Sequence, residues 1–247
     1  MISEHEQFLQ LAKENLGYFC FMVWDYYKFP EFFDLKIVND TLRCNYEKYT
    51  LFHGKPNKII FEGYKPKGEL FLSFKPDWFT LIKDKFYDFE LVVEINEEDK
   101  FNKFLCMELL EENFHSKEQY QSKKLARENL DVLNIKRRIH QSRGFGGVAI
   151  IIDNSLLGCA FASQVVQEQP FSFAAIRDVW VHPTCRNQGL GSDLTSHISK
   201  IIFNQQIERI FLWVEERNIP AVRLYEKLGF TTVDSFFSTV CKIRKNS

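Results

Sequence analysis

The sequence predicts a mixed α/β fold over its C-terminal two thirds, preceded by a smaller α+β segment that is rich in aromatic residues. From about residue 87, runs typical of buried strands alternate with stretches of helical periodicity. A turn containing Gly189 and Gly191 joins one such strand to one such helix. Residues 1–86 hold 20 of the 38 Phe, Tyr and Trp residues. We therefore expect two domains, 1–86 and 87–247, packed against each other.

Composition and charge exclude several classes of protein. The chain has 247 residues and a net charge of −1, which disfavours a sequence-independent binder of nucleic acid or of an anionic membrane. No apolar run approaches the roughly 20 residues of a membrane span, and the N-terminus lacks the pattern of a signal or transit peptide. The six cysteines lie at least 24 residues apart, without zinc-site spacing, and are typical of reduced thiols. We expect a cytoplasmic protein with no metal.

The aromatic segment opens with a predicted helix, in which Phe8, Leu11 and Leu16 recur at near-helical spacing. Three strand-like runs follow, separated by Gly and Pro, at 46–52, 58–64 and Glu69–Phe74. They predict an antiparallel meander with an aromatic face. That face is either the core of a small domain or an aromatic wall for an apolar acceptor or acyl chain.

The larger segment predicts the element order β-α-α-β-β-β-α-β-α-β. The strands are expected at 89–95, 147–153, 156–166, Phe171–Val181, Arg209–Glu215 and 230–242, and the helices at 99–114, at 117–133, after Gly191 and at 219–228.

The most informative stretch is Val181-His182-Pro183-Thr184-Cys185-Arg186-Asn187-Gln188-Gly189-Leu190-Gly191-Ser192. Its glycines allow backbone N–H groups to approach a ligand, and the following helix adds unpaired donors with a positive partial charge. Together these features favour a phosphate site, to which Arg186 can add charge-assisted bonds. The stretch is neither a P-loop nor a dinucleotide fingerprint, because it lacks Gly-Lys-Ser/Thr and a third glycine.

A second motif begins 27 residues beyond Gly191 and reads Asn-Ile-Pro-Ala-Val-Arg-Leu-Tyr-Glu-Lys-Leu-Gly-Phe, from Asn218 to Phe230. It predicts a short helix with Asn218 as the N-cap, Pro220 in the first turn and Gly229 as the left-handed stop.

These two motifs, in this order and spacing, resemble those of the GCN5-related N-acetyltransferase (GNAT) superfamily. The loop from Arg186 to Gly191 matches the pattern (Arg/Gln)-x-x-Gly-x-(Gly/Ala), and the residues from Asn218 to Phe230 match the family's next conserved block. The tail 231–240 resembles the FR47-like branch. The resemblance is strong over 145–240 and extends back to about 87; no family is recognised over 1–86.

The resemblance implies acetyl-CoA, or another acyl-CoA, as co-substrate. The pantetheine arm would pair with the backbone of the strand before the loop, the pyrophosphate would bind the loop, and Asn218 would contact the CoA arm. The implied cofactor-binding residues are Val179, Trp180, Val181, Arg186, Asn187, Gln188, Gly189, Leu190, Gly191, Ser192 and Asn218.

Tyr225 occupies the family's general-acid position, and the alternative is a tyrosine that only packs under the cofactor. The general base is less clear, because the family's Glu position holds Trp213. Glu215 lies on the same strand face two residues later. Asp178, His182, Glu216 and a water relay without a dedicated base remain open.

The predicted reaction is direct transfer of an acyl group to a primary amine through a tetrahedral intermediate. We expect a small amine or amino acid as acceptor and a monomer or homodimer, with no nucleic-acid or membrane partner. A protein or peptide N-acetyltransferase, or a non-catalytic acyl-CoA-binding module, are the alternatives.

Overall fold

The computed structural model of the protein describes residues 3–65, 69–88, 91–92, 101–117, 119–120, 122–125, 146–152 and 155–243. Its helices are α1 (Glu4–Glu14), α2 (Leu16–Lys28), α3 (Phe79–Asp88), α4 (Leu190–Phe203) and α5 (Ile219–Lys227). Its strands are β1 (Phe33–Val38), β2 (Thr41–Tyr46), β3 (Tyr49–His53), β4 (Glu69–Phe74), β5 (Leu91–Val92), β6 (Asn102–Leu110), β7 (Lys123–Leu125), β8 (Gly146–Ile152), β9 (Ser155–Glu168), β10 (Phe171–Val181), β11 (Arg209–Glu215) and β12 (Thr231–Ile243). None of the described helices is long and apolar enough to cross a membrane.

The strands form a single mixed sheet, which confirms the predicted mixed α/β class. Their order is β1-β2-β3-β4-β12-β6-β11-β10-β9-β8-β7, and β5 pairs with β12. The pairs β3–β4 and β10–β11 are parallel, and the other pairs are antiparallel. The antiparallel meander expected from the runs 46–52, 58–64 and 69–74 is wrong, because 46–52 overlaps β3, 69–74 is β4, and these two strands pair in parallel. The antiparallel partners of β3 are instead β2 and, beyond it, β1, which the sequence analysis did not predict.

The same pairing order occurs twice, on either side of the central β6–β12 pair. On one side, β1, β2 and β3 pair antiparallel and β4 joins in parallel; on the other, β8, β9 and β10 pair antiparallel and β11 joins in parallel. The two central strands are exchanged: β6 pairs with β11, and β12 pairs with β4. The sheet thus runs continuously across the compositional boundary at residue 86.

Helices cover both faces of the sheet. Helices α4 and α5 pack on one face, where Leu194 and Ile198 share a core with Leu212 of β11. Helices α1 and α2 pack on the other face, where Phe8 and Phe19 share a core with Phe211. Because neighbouring residues of a strand point to opposite faces, Phe211 and Leu212 belong to different cores.

Two sequence predictions are wrong in ways that the packing explains. The stretch 99–114 is predicted as a helix but contains strand β6, which lies between β11 and β12. Its consecutive residues Cys106 and Met107 are both fully buried, so a strand buried on both faces imitates helical periodicity. The run 58–64 is predicted as a strand, but a 3₁₀ turn forms at Lys58–Phe61, because the Asn57 side chain accepts a hydrogen bond from the Ile59 N–H at 3.0 Å.

Other predictions fall partly or wholly outside the described residues. Of the strand expected at 89–95, the structure describes β5 alone. Most of the helix expected at 117–133 lies outside the described residues, and its described part contains strand β7 instead. Helix α2 is an element that the sequence analysis did not separate from the first helix.

Candidate active site

The opening between β10 and β11 is the central feature of the site. The two strands pair only from Phe173–Arg209 to Ala175–Phe211, although β10 continues to Val181 and β11 to Glu215. Beyond Ala175 the two strands no longer pair, which leaves a gap between two parallel strands. The gap lies at the carboxyl ends of these strands, the place where open α/β sheets bind ligands.

A β-bulge in β10 shapes one wall of this opening. The register with β9 shifts between Arg177 and Trp180, and Asp178 takes a positive φ of 53°. A bulge leaves backbone groups out of the ladder and increases the local twist. Val179 and Val181 pack against the core beneath α4 and α5, whereas Trp180 packs against the opposite face. Of these three predicted cofactor residues, the two valines therefore face the side of the sheet that carries the glycine turn.

The glycine turn, which we call the phosphate loop (residues 186–192), joins this strand to α4. Asn187 and Gly189 have positive φ angles of 61° and 90°, and α4 begins at Leu190 with Gly189 as its N-cap. The first N–H groups of a helix have no acceptors within that helix, so those of Leu190, Gly191 and Ser192 are available to an anion. Arg186 is exposed, and its Nε donates to the Val181 carbonyl at 3.4 Å.

A segment that the sequence analysis did not single out lies over this loop. The Tyr120 hydroxyl donates to the Gln188 carbonyl at 2.8 Å, and Asp193 Oδ1 accepts from the Gln119 and Tyr120 N–H groups. No signal in the sequence could have found this segment, because Asp193 and Tyr120 are 73 residues apart and meet only in the completed fold.

Helix α5 brings the predicted general acid beneath the opening. Asn218 caps the helix as predicted, since its side chain accepts from the Ala221 N–H. Tyr225 is only 7 % exposed and lies in the same core as Val179 and Val181. Its ring meets Phe230 edge to face, with centroids 5.7 Å apart. Burial raises the pKa of Tyr225 to about 12, so the phenol keeps its proton at neutral pH.

The candidate bases do not lie together. Glu215 Oε2 accepts from Arg217 Nε at 2.8 Å, and Glu216 Oε1 pairs with Lys103 Nζ at 2.7 Å. His182 Nδ1 lies 2.8 Å from the Thr184 hydroxyl, at the start of a 3₁₀ turn.

Of the four candidate bases, only Asp178 lines a cleft on the α2 face of the sheet. Its Oδ2 accepts a hydrogen bond from Arg177 Nε at 3.1 Å.

Trp213 fills the strand position where the family's acid was expected. Its indole Nε1 donates to the Gly17 carbonyl of α2 at 2.7 Å. Its ring also meets Phe21 and Phe236 edge to face. The side chain therefore ties β11 to the N-terminal helices, and its position holds no proton acceptor.

A cleft of about 1040 Å³ lies on the α2 face of the sheet, beside the opening. Its walls include Ile176, Arg177 and Asp178 of β10 and Trp213 of β11. Of the seventeen described residues that line it, twelve belong to the aromatic segment 1–86, among them Phe21, Trp24, Tyr46, Tyr49 and Phe71. Among the described residues, no group of His, Cys, Asp and Glu could hold a metal ion.

The sequence profile of the Acetyltransferase (GNAT) family matches residues 104–230, about half of the chain. This chain belongs to the GNAT acetyltransferase family. The match begins at β6 and ends just after α5, so it includes the opening, the phosphate loop and Tyr225.

Curated relatives match over shorter stretches. A mycothiol acetyltransferase of Saccharomonospora viridis is 39% identical over 57 residues, which is 23% of this chain and 19% of that protein. A second, from Salinispora tropica, is 41% identical over 69 residues, or 26% of this chain and 22% of that protein. The chain thus spans about a fifth of the length of the curated relatives that it matches.

One solved structure matches over the whole chain. A Drosophila protein superposes with a TM-score of 0.69 at 14% sequence identity, covering 100% of this chain and 98% of that one. At this identity the likeness shows the fold alone. Since it extends over the full length, the arrangement of residues 1–86 with the rest of the chain is part of that shared fold.

Proposed function

We propose that this protein transfers an acyl group, acetyl by default, from acyl-CoA to the primary amine of a small molecule. The observation that carries the proposal is the opening between β10 and β11, with the phosphate loop at one end and the cleft beside it. The family supplies the reaction class, and the matched mycothiol acetyltransferases agree with acetyl as the transferred group.

The residues of this chain suggest how acyl-CoA would be held. The amides at the start of α4 would bind the pyrophosphate, with Arg186 nearby. The backbone of Val179 to Val181 would pair with the pantetheine arm. A backbone N–H from this bulged stretch would also stabilise the negative charge on the thioester oxygen as the tetrahedral intermediate forms.

The transfer itself needs two proton movements. The acceptor ammonium must first lose a proton, since its pKa is near 10.4 for a lysine-like amine. Asp178 lines the cleft, and we propose that its carboxylate holds the amine or a water that carries this proton to solvent. The neutral amine attacks the thioester carbon, and its nitrogen, now positively charged, loses a second proton to the same carboxylate or water. The C–S bond of the tetrahedral intermediate then breaks, and Tyr225 donates a hydrogen bond to the departing thiolate.

The cleft favours a small acceptor with an apolar or aromatic body. Aromatic rings from 1–86 line it together with Phe104 and Trp213, and such walls bind flat or apolar groups well. The N-terminal segment would thus select the acceptor or the acyl chain. We further propose that the chain belongs to the FR47-like branch, because of the resemblance of its tail 231–240. We also propose a cytoplasmic location, because none of the five described cysteines forms a disulfide.

The test is release of free CoA thiol from acetyl-, butyryl- and benzoyl-CoA with a panel of small amines, amino acids and peptides. Turnover with a small amine is the expected result, and Arg186→Ala should raise the KM for acyl-CoA about tenfold, as the loss of one charge-assisted bond predicts. Arg223→Ala, at an exposed position on α5, is the matched control and should leave KM unchanged. Turnover with peptides alone would favour a peptide acetyltransferase. Binding of acetyl-CoA without turnover on any acceptor would favour a non-catalytic module, as Trp213 in the place of the acid would allow.

A further inference from the structure

We propose that Asp193 and Tyr120 act as positioning residues that hold the phosphate loop in its cofactor-binding shape. We call the pair the loop clamp. The inference rests on the proposed function, because it concerns the loop that would bind the pyrophosphate of acyl-CoA.

Asp193 fixes a passing segment onto the start of α4. It is 1 % exposed, and its Oδ1 accepts from the N–H groups of Gln119 at 2.7 Å and Tyr120 at 2.6 Å. Its Oδ2 is buried without a hydrogen-bond partner among the described residues. A buried carboxylate is unfavourable unless other groups compensate it, and here the positive end of the helix and two charge-assisted bonds do so. The two hydrogen bonds that compensate the buried carboxylate therefore also attach residues 119–120 to the helix.

Tyr120 uses that attachment to hold the loop itself. Its hydroxyl donates to the Gln188 carbonyl at 2.8 Å. In a trans peptide the C=O and the following N–H point in opposite directions. Fixing the Gln188 carbonyl towards Tyr120 therefore fixes the direction of the Gly189 N–H, which belongs to the same peptide unit.

The loop needs such support because its backbone is unusual. Asn187 and Gly189 both have φ in the left-handed region, at 61° and 90°. A side-chain Cβ on Gly189 would lie 2.9 Å from Gln119 Oε1 and 3.9 Å from the Tyr120 ring. The clamp segment thus lies directly over Gly189. Glycine adopts a positive φ without steric cost, but at Asn187 such a conformation is costly and persists only where the surroundings hold it.

The same segment offers a matched control one turn further along α4. The Ser122 hydroxyl lies 2.6 Å from His197 Nδ1. Ser122→Ala removes a contact between the same segment and the same helix, but leaves the bonds to Gln188 and Asp193 intact.

The test measures KM for acetyl-CoA, Kd for CoA and kcat in the full-length protein. Tyr120→Phe should raise KM and Kd about three- to tenfold, as expected for the loss of one hydrogen bond, with kcat within about twofold. Asp193→Ala should raise them by about tenfold or more, and Asp193→Asn should recover much of this loss because its amide oxygen still accepts. Amide hydrogen exchange of residues 187–192 should quicken in Tyr120→Phe and Asp193→Ala, but not in Ser122→Ala.

Different outcomes overturn the clamp and the proposed function. Wild-type protein that binds neither acetyl-CoA nor CoA would refute the proposed function. Wild-type protein that binds CoA, together with Tyr120→Phe that binds it equally well and exchanges its loop amides at the wild-type rate, would refute the clamp alone. If Asp193→Ala fails to fold, Tyr120→Phe decides the matter, because it removes one hydroxyl from a part-exposed contact. Equal loss of CoA affinity in Ser122→Ala would also refute the clamp, because it would assign the effect to general loosening of the segment.

Discussion

Tyr225→Phe is the most direct test of the proposed chemistry. The change removes one hydroxyl and keeps the ring that packs against Phe230. Because the residue is buried in the core beneath α5, the phenylalanine fits the same space. Any large loss of rate should therefore report the lost O–H rather than a repacked core.

The size of the loss follows from the pKa of the phenol. Burial raises that pKa to about 12, whereas a free thiol has a pKa near 8.5. Complete transfer of the proton from Tyr225 to the thiolate would run uphill by about 3.5 pKa units, or about 5 kcal/mol. We therefore expect Tyr225 to stabilise the developing thiolate by hydrogen bonding, and a bond to a charged group contributes about 1.5–3 kcal/mol. This corresponds to a fall in kcat of about 10- to 160-fold.

The assay is single-turnover release of CoA thiol at saturating acetyl-CoA. The KM for acetyl-CoA should change by less than about threefold, and wild-type activity should show no decline from phenol ionisation below about pH 11, since the protonated form dominates there. Tyr26→Phe, which alters a buried tyrosine of α2, is the control and should leave kcat unchanged. A folded Tyr225→Phe protein whose kcat stays within twofold of wild type would refute the donor role and leave the ring as packing alone.

Two further predictions concern the N-terminal half. Trp213→Phe keeps a ring beside Phe21 but removes the indole N–H that donates to the Gly17 carbonyl. The free energy of unfolding, measured in urea, should therefore fall by about 1 kcal/mol. An unchanged value would show that this hydrogen bond makes no net contribution to stability. Burial, as the larger cause, and the nearby Lys75 cation, as the smaller, lower the pKa of His53 to about 4, from about 6.5 in the unfolded chain. Below pH 6.5 the unfolded chain therefore takes up a proton that the folded protein does not, and stability falls as the pH drops towards 4. Between pH 7 and 4.5 the free energy of unfolding should fall by about 2–3 kcal/mol more in wild type than in His53→Phe, and equal falls in the two proteins would contradict the assignment.

Much of the C-terminal half could be predicted because its sequence marks the ends of its elements clearly. The strands Phe171–Val181 and Arg209–Glu215 begin and end where the sequence analysis places them. Pro183 and the two glycines end one strand and start α4, and Asn218 and Gly229 bound α5. Residues that end or begin an element in this way can be recognised in the sequence without knowledge of the tertiary structure.

The N-terminal half was harder to predict, because its aromatic residues are buried on more than one side of each helix or strand. Helix α2 buries residues on most of its circumference, including Tyr18, Phe19 and Cys20 in succession, so its pattern is not that of a helix with one apolar face. The prediction for β6 was wrong for a related reason: β6 lies between two neighbouring strands near the centre of the sheet, so both of its faces are buried. Periodicity indicates structure well only where one face meets solvent.

Sequence reasoning found the groups that would bind the cofactor but not the groups that support or surround them. The phosphate loop and Tyr225 belong to short motifs, so their residues are close in sequence. Asp193 and Tyr120 are 73 residues apart, and Trp213 bonds to Gly17 across 196 residues. Pairs of this kind depend on the completed fold, and a single sequence gives no sign of them.

The exchange of central strands changes how the compositional boundary at residue 86 should be understood. The division into 1–86 and 87–247 stays a prediction, but β4 of the first segment pairs with β12 of the second along Phe74–Phe237 to Glu69–Lys242. A fragment of residues 1–86 would lack this partner and expose β4 as an unpaired edge, and a fragment of residues 87–247 would expose β12 in the same way. The aromatic wall of the cleft, on α2, β2, β3 and β4, is thereby held in register with β11 through β12 and β6. In the proposed function, strand pairing and not a linker would therefore set the position of the acceptor relative to the thioester.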